Sequence, residues 1–379
     1  SVYGLSDCFC PFGNVAFAFL VTLGNGNESF AKVKKIGKFK YNYILIKKGA
    51  WITQITPLSS RGIKTLVIPQ KLEGKNVIKI GAKGDSPAGS ETPNMFGVEY
   101  SRNDDGTYEP QKVYDRVKKI KKIRVPDTVK EMTGQCFDDI PDGKCINIPK
   151  SLVSDAIGHF YVHRKWDKLT VSPDNPKYKV KNSCLLSKKG KRMYGIVHKR
   201  NKISVPNTVT EIVDSYACNG AKIVVLSCKI KKIPAFMHSD NYVNFKVVKG
   251  NKKYASKYGC VYEKKTKKMV VAGAPDGILK IPEGVQYLDD KCGQSGKVPK
   301  KIICHSEVKE LRIPFDYPYY HKKVTCVMNG KKPPRLLEKE YIAITELKVY
   351  VPKGCKNVYE KEWGNIPNPN TKLVVEEIF

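Results

Sequence analysis

Tyr178 to Ile212 aligns without a gap on Tyr254 to Leu288, at a constant offset of 76 (254 − 178). Tyr178 meets Tyr254, Cys184 meets Cys260, Met193 meets Met269, Pro206 meets Pro282 and Val209 meets Val285. A fixed period constrains a chain more tightly than composition does. Each repeat is a unit that cannot cover its own apolar face and must stack on the next, so the chain is expected to build a solenoid. A solenoid offers a long surface rather than a closed pocket, which favours binding over catalysis.

A shorter motif runs beneath the long period. It reads Ile123 to Met132 (IRVPDTVKEM), Ile203 to Ile212 (ISVPNTVTEI) and Leu279 to Leu288 (LKIPEGVQYL), with looser copies ending at Pro69, Pro149, Pro314 and Pro352. Alternation before the proline has the period of a strand. Proline brings no N–H to a ladder, so the strand stops there. The two apolar residues that follow, such as Val209 and Ile212, are three apart and turn back into the core. Each copy therefore predicts one rung: strand, stop, corner, return. Between rungs, Cys184 to Met193 and Cys260 to Met269 read as hairpins, with tips at Ser187-Lys188-Lys189-Gly190 and Glu263-Lys264-Lys265-Thr266. One unit then holds about three coils of roughly 25 residues. Ala82 to Glu109, rich in Gly, Ser, Pro, Asn and Asp, reads as a long loop inserted between rungs.

The 379 residues suffice for a large core. Lys and Arg number 68 against 36 Asp and Glu, a net charge of +32. A charge of that size draws polyanions and acidic surfaces, so nucleic acid, sulfated glycan, anionic lipid and acidic protein are all open as partners. Most of it is lysine, a hydrated point charge, rather than the planar fork of arginine that suits phosphates and bases. Coding bias toward Lys, Asn, Tyr and Ile would produce the same composition. The longest apolar run, Val15 to Leu23, is far short of the roughly 20 residues of a membrane-spanning helix. It also lacks the basic flank of a secretory signal. It is expected as a buried first strand covering the end of the solenoid. A start at Ser rather than Met suggests a processed or truncated start, and a signal peptide is expected to have been removed already.

Twelve cysteines are present, with no C-x-x-C pair. Cys8 and Cys10 are a weak metal signal, because a structural zinc site wants two such pairs. Cys184 and Cys260 occupy one position in successive units. At three strand layers of ~4.8 Å they stand roughly 14 Å apart, beyond the ~7 Å that a disulfide spans. They are expected unbridged, as small buried hydrophobes.

The rung motif, together with Asn175-Pro176-Lys177-Tyr178 and Gly259-Cys260-Val261-Tyr262, resembles the BspA-type leucine-rich repeat family. Leu66 to Gly81 (LVIPQKLEGKNVIKIG) is similar to that family's opening coil, and Leu347 to Trp363 (LKVYVPKGCKNVYEKEW) to its closing strand and tail. The Ala-Phe dipeptide usual after each coil is absent, with Cys136-Phe137 and Tyr216-Ala217 in its place. The resemblance implies a β-rich, horseshoe-like leucine-rich-repeat solenoid with few helices. It implies a cap segment over 1–40, the solenoid over 41–365 with the loop at 82–109, and a tail over 366–379. It further implies a secreted or cell-surface protein acting in adhesion and protein binding, with no catalytic residues and no cofactor.

Chemistry has few candidates in this sequence. His159 and His163 lie four apart but lack the Glu of a zinc hydrolase motif. Asp104-Asp105 and Asp289-Asp290 are adjacent pairs, which point to opposite faces of a strand. No nucleophile elbow or phosphate loop is seen, and no metal site or cofactor is expected. The basic clusters carry more. Lys188, Lys189, Lys191 and Arg192 recur one repeat later as Lys264, Lys265, Lys267 and Lys268. Stacked in register they would form a basic ridge for polyanions, and Lys118, Lys119, Lys121 and Lys122 could extend it. The expected function is non-enzymatic binding of a protein or acidic glycan, on the concave strand face or on this ridge. The alternative is a cytoplasmic scaffold for nucleic acid or ribonucleoprotein. A third is a structural component of a larger assembly.

Overall fold

A computed structural model describes residues 20–21, 29–82, 95–98, 100–102, 108–110, 112–132, 136–137, 139–141, 143–154, 166–197, 200–235, 237, 239, 242–289, 292, 299–313, 323–339, 342 and 344–378. The rung motif folds as expected. Ile123 and Val125 are buried while Lys122 and Arg124, which alternate with them, face solvent. The strand Lys122–Arg124 ends just before Pro126. The corner closes when Val129 N–H donates to the Pro126 carbonyl at 3.1 Å, as Val209 does to Pro206 (3.0 Å) and Val285 to Pro282 (2.9 Å). Val129 and Met132, like Val209 and Ile212, then return into the core.

Stacked rungs make two parallel ladders. In the first, Thr65–Val67, Lys122–Arg124, Cys145–Ile148 and Lys168–Val171 lie side by side. Lys202–Ser204, Ile223–Leu226 and Asn244–Val247 form a second parallel group. Ile278–Lys280, Lys301–Cys304, Lys323–Met328, Glu346–Pro352 and Lys372–Ile378 form a third. The second ladder is made of the short return strands. Glu131–Met132 pairs with Lys75–Ile80, Glu211–Ile212 with Arg192–Ile196, and Tyr287–Leu288, Glu310–Leu311 and Arg335–Leu336 with one another. Three apolar clusters fill the space between the ladders along the chain. The molecule is a β-solenoid with few helices.

Four features differ from the sequence reading. Each expected hairpin is a three-stranded antiparallel meander, because Tyr178–Lys181 and Tyr254–Lys257 add a strand in front. The segment read as an inserted loop contains buried Met95, Phe96 and Val98, with Phe96 packed on Phe137 at 6.4 Å. It also holds a short strand pair, Tyr100–Arg102 with Tyr108–Pro110. The expected tail over 366–379 supplies the last rung, Lys372–Ile378, in parallel register with Glu346–Pro352. Within the expected cap, Ser29–Ile36 pairs with Phe39–Ile46 and so joins the first sheet. Of Val15 to Leu23, Leu20–Val21 is a strand paired with Ser29 and Phe30, and the rest lies outside the described residues. His159, His163, Cys8, Cys10, Asp104, Asp105 and Asp290 also lie outside them.

The helix Lys356–Trp363 packs Tyr359 and Trp363 edge to face at 5.6 Å. The Tyr359 hydroxyl donates to the Gly330 carbonyl at 2.8 Å and the Trp363 indole to the Pro334 carbonyl at 2.9 Å. Two aromatic donors thus satisfy carbonyls that the neighbouring rung leaves open.

Candidate polyanion-binding surface

Each meander is fastened to the preceding rung by a buried asparagine. The Asn175 amide donates to the Pro149 and Leu152 carbonyls at 2.8 and 2.9 Å, and its oxygen accepts from the Lys177 and Tyr178 amides at 2.9 and 2.8 Å. Asn251, its counterpart in the next repeat, makes the same set with Ser227 and Ile230 (3.3 and 3.0 Å) and with Lys253 and Tyr254 (2.9 and 2.8 Å). An asparagine has two donors and two acceptor lone pairs, and all four are used. The Tyr178 hydroxyl then donates to the Ser154 carbonyl and that of Tyr254 to the Lys231 carbonyl.

The eight basic residues at the meander tips do two different things. Lys188 Nζ donates to the Pro173 and Asn175 carbonyls at 2.9 and 2.8 Å, and Lys264 Nζ to the Asn251 carbonyl at 2.5 Å. These two lock the asparagine turn from outside. Arg192 Nε lies 3.2 Å from Glu211, which also holds Lys232 at 2.8 Å. Lys268 lies 3.8 Å from Asp289. Lys189, Lys191, Lys265 and Lys267 project into solvent. The structure keeps the two sets of four equivalent but separates them by about three rungs, roughly 14 Å at ~4.8 Å each. The suggested extension to Lys118, Lys119, Lys121 and Lys122 does not follow from the topology. Lys122 belongs to the first ladder, beside Thr65 and Cys145, whereas Arg192 pairs with Glu211 in the second. Lys118 is held by Asp115 at 2.5 Å.

The second ladder and the first group of strands in the first ladder differ in charge, whereas further along the first ladder Lys323 meets Glu346 (3.5 Å) and Lys348 meets Glu376 (3.0 Å). On the second, opposite charges alternate from strand to strand: Lys79 with Glu131 (2.8 Å), Arg192 and Lys232 with Glu211, and Arg335 with Glu310 (2.6 Å). Lys232 and then Arg192 hold the Glu211 carboxyl below its ordinary range. On the first, the outward positions of the four strands from Thr65 to Val171 carry lysine and arginine but no carboxylate. The sequence pointed to a strand face and to Lys122, but not to this grouping of Lys122 with Arg124 and Lys168. Its signal, a Lys or Arg on either side of the buried residue in Lys122-Ile123-Arg124, is plain only once parallel register is known.

Ten cysteines among the described residues are free. Cys184 and Cys260 are fully buried and unbridged, as expected, and burial pushes both thiols up to about 12. Cys304 and Cys326 face the same core on adjacent strands, but register pairs Cys304 with Met328 and Cys326 with Ile302. A two-residue stagger of ~3.3 Å per residue across ~4.8 Å leaves their Cα atoms roughly 8 Å apart, too far for a disulfide. Among the described residues no group of three His, Cys, Asp or Glu side chains could hold a metal ion, and no helix is long and apolar enough to cross a membrane.

No family model and no curated protein matches the chain. Among solved structures it is similar to a leucine rich cell surface protein from Faecalibacterium prausnitzii, at 13% identity and a TM-score of 0.34, over 92% of this chain and 95% of that one. A leucine-rich repeat protein from Eubacterium ventriosum is similar at 13% identity and a TM-score of 0.29, over 89% and 82%. The pneumococcal vaccine antigen PcpA is similar at 14% identity and a TM-score of 0.28, over 92% and 99%. The ladders and corners described above make the fold a repeat β-solenoid with few helices.

Proposed function

We propose that the protein acts by binding rather than catalysis, at a cell surface or outside the cell, and that its ligand is an acidic glycan or an acidic face of a protein. The observation that supports this reading is the rigid repetition of cations. Lys189 and Lys191 on one meander are matched by Lys265 and Lys267 on the next, while Lys188 and Lys264 anchor the turns that carry them. A preformed surface loses little ordering entropy on binding. Retention on immobilised heparin tests it: the reading expects retention that collapses from low to moderate salt, because counterion release drives the association. The quadruple variant Lys189→Ser/Lys191→Ser/Lys265→Ser/Lys267→Ser should elute earlier while melting at the same temperature. Unchanged elution removes the tips from the binding surface. Wild-type protein that fails to bind heparin, any other acidic glycan or any acidic protein tested removes the reading as a whole.

A cytoplasmic scaffold for nucleic acid is the second reading, and the ten free thiols among the described residues favour it, since secreted proteins more often bridge their cysteines. Alkylation of denatured, unreduced protein taken from its own cells separates the two. Several blocked thiols support the oxidising, extracellular setting, and twelve reactive ones support the cytoplasmic setting.

A further inference from the structure

The outward face of the sheet formed by Thr65–Val67, Lys122–Arg124, Cys145–Ile148 and Lys168–Val171 is a second basic surface, distinct from the meander tips. Register places Lys122 between Thr65 and Cys145, Arg124 beside Val67, and Lys168 beside Cys145. Lys122, Arg124 and Lys168 are all exposed, and none forms an ion pair among the described residues. The nearest acid on these strands' upstream margin, Asp167, is engaged by Lys144 at 2.8 Å. Asn147 is turned to the backbone, donating to the Val125 carbonyl and accepting from its amide, both at 2.8 Å. It therefore leaves the surface to the cations. Like charges gathered on one flat face repel one another, and nothing in the fold of this sheet needs them, because the buried Leu66, Ile123, Ile146 and Leu169 hold it together. On the second ladder, by contrast, the same kind of position carries Glu131 opposite Lys79.

We propose that this face binds a linear sulfated polysaccharide laid across the strands, its sulfates and carboxylates meeting Lys122, Arg124 and Lys168. Lys122 and Lys168 lie two strands apart, roughly 10 Å at ~4.8 Å per strand, a separation on the scale of one disaccharide. Point charges on lysine suit scattered sulfates, and one arginine offers little bidentate reading of phosphates or bases. Single-stranded nucleic acid wants aromatic side chains on which bases stack, and the outward positions of these four strands carry none. Reading the bases of duplex DNA takes a helix or narrow ribbon that enters its groove, and a sheet four strands wide is too broad for that. An extended polysaccharide needs only a flat, rigid row of cations.

The test compares a heparin oligosaccharide, the same oligosaccharide after chemical desulfation, and a DNA duplex, each titrated against three full-length proteins. These are the wild type, the triple variant Lys122→Thr/Arg124→Thr/Lys168→Thr, and the quadruple tip variant described above. Threonine is chosen because it suits an exposed strand position. The expected result is wild-type preference for the sulfated oligosaccharide. The triple variant should bind it about tenfold more weakly, with a salt slope smaller by about 3, near one per contact removed. The tip variant should bind it through this face with a smaller loss. Equal binding of the triple variant and wild type overturns the proposal, as does a preference for the duplex. Loss confined to the tip variant also overturns it, and leaves the tip reading standing. Amine labelling of the wild-type protein with and without the oligosaccharide gives a reading independent of any substitution: Lys122 and Lys168 should be protected, and full labelling of both in the complex overturns the proposal.

Discussion

The two meanders, one repeat apart, differ on the outside and agree on the inside. Asn175 and Asn251 make the same four hydrogen bonds, Tyr178 and Tyr254 both reach back to a carbonyl of the preceding rung, and Cys184 and Cys260 fill the same buried place. Their first turns share one backbone shape but use different residues, and their tips differ in shape as well. In the first meander Asn182 and Ser183 take left-handed backbone angles (φ 51 and 60), and in the second Tyr258 and Gly259 do (φ 55 and 79), as a two-residue hairpin loop requires. At the tip Gly190 has φ 71, whereas the second tip puts Lys267 at φ 57. Charge partners change as well, from Arg192 with Glu211 to Lys268 with Asp289. The preceding rung leaves buried carbonyls that must be satisfied, and this fixes the inner residues. Water satisfies the outer ones, so many sequences serve there.

Four perturbations probe that comparison, in falling order of expected effect. Asn175→Ala and Asn251→Ala each strip partners from two carbonyls and two amides in the interior, and each is expected to cost about 3 kcal/mol or more. Urea unfolding with hydrogen exchange at the preceding rung reads this. Equal losses uphold the equivalence, and a loss at only one site breaks it. Next come the thiols. Burial raises Cys184 and Cys260 to about 12, so the unfolded chain ionises first. Their contribution is whole below the ordinary thiol pKa and is lost as pH rises from there toward 12, by roughly 1–2 kcal/mol per thiol near pH 10. Thermal melts of Cys184→Ala and Cys260→Ala proteins against the wild type across pH 7–10.5 should show the same flattening at both positions.

Tyr178→Phe and Tyr254→Phe should each cost about 1 kcal/mol, the net value of one hydrogen bond, and a double-mutant cycle should find them additive across the intervening rungs. The smallest effect belongs to the outer pairs. Glu211→Gln and Asp289→Asn are expected to change stability by a few tenths of a kcal/mol, vanishing in high salt. Because Lys232 depresses the Glu211 carboxyl, its share is present above the ordinary Glu range and fades as pH falls through the lowered value. A pH-independent Glu211→Gln difference would mean that this ion pair is not what the substitution removes.

Much of this architecture was legible in one sequence. The period announced the stack, and the proline of each rung marked where strand gives way to corner, because no N–H is available there. Cys184 and Cys260 were readable as unbridged from spacing alone. Asn251 escaped notice because Lys252 stands where the first unit has Pro176, although the constant offset pointed to it. The division of labour at the tips was hidden for a different reason. Lys188 and Lys189 are neighbours of the same type, and only the fold shows that one reaches back to the Asn175 carbonyl while the other does not. The basic face at Lys122 and Lys168 required the parallel register of strands that lie far apart in sequence, which no local pattern encodes.

The asparagine turn also governs how such a chain can change length. Each meander asks its predecessor for a small, repeated set of free carbonyls: a pair at a rung's corner, Pro149 and Leu152 in one case and Ser227 and Ile230 in the other, and one for the tyrosine hydroxyl, Ser154 or Lys231. Near the C-terminus Asn368 makes a reduced version of the same request of the Ile342 carbonyl, at 2.9 Å. A whole unit can therefore be copied in or cut out without redesigning either neighbour, much as a link is added to a chain with standard couplings. Genetic duplication in such a gene changes the reach of the molecule in fixed steps, and leaves the residues that face its surroundings free to diverge.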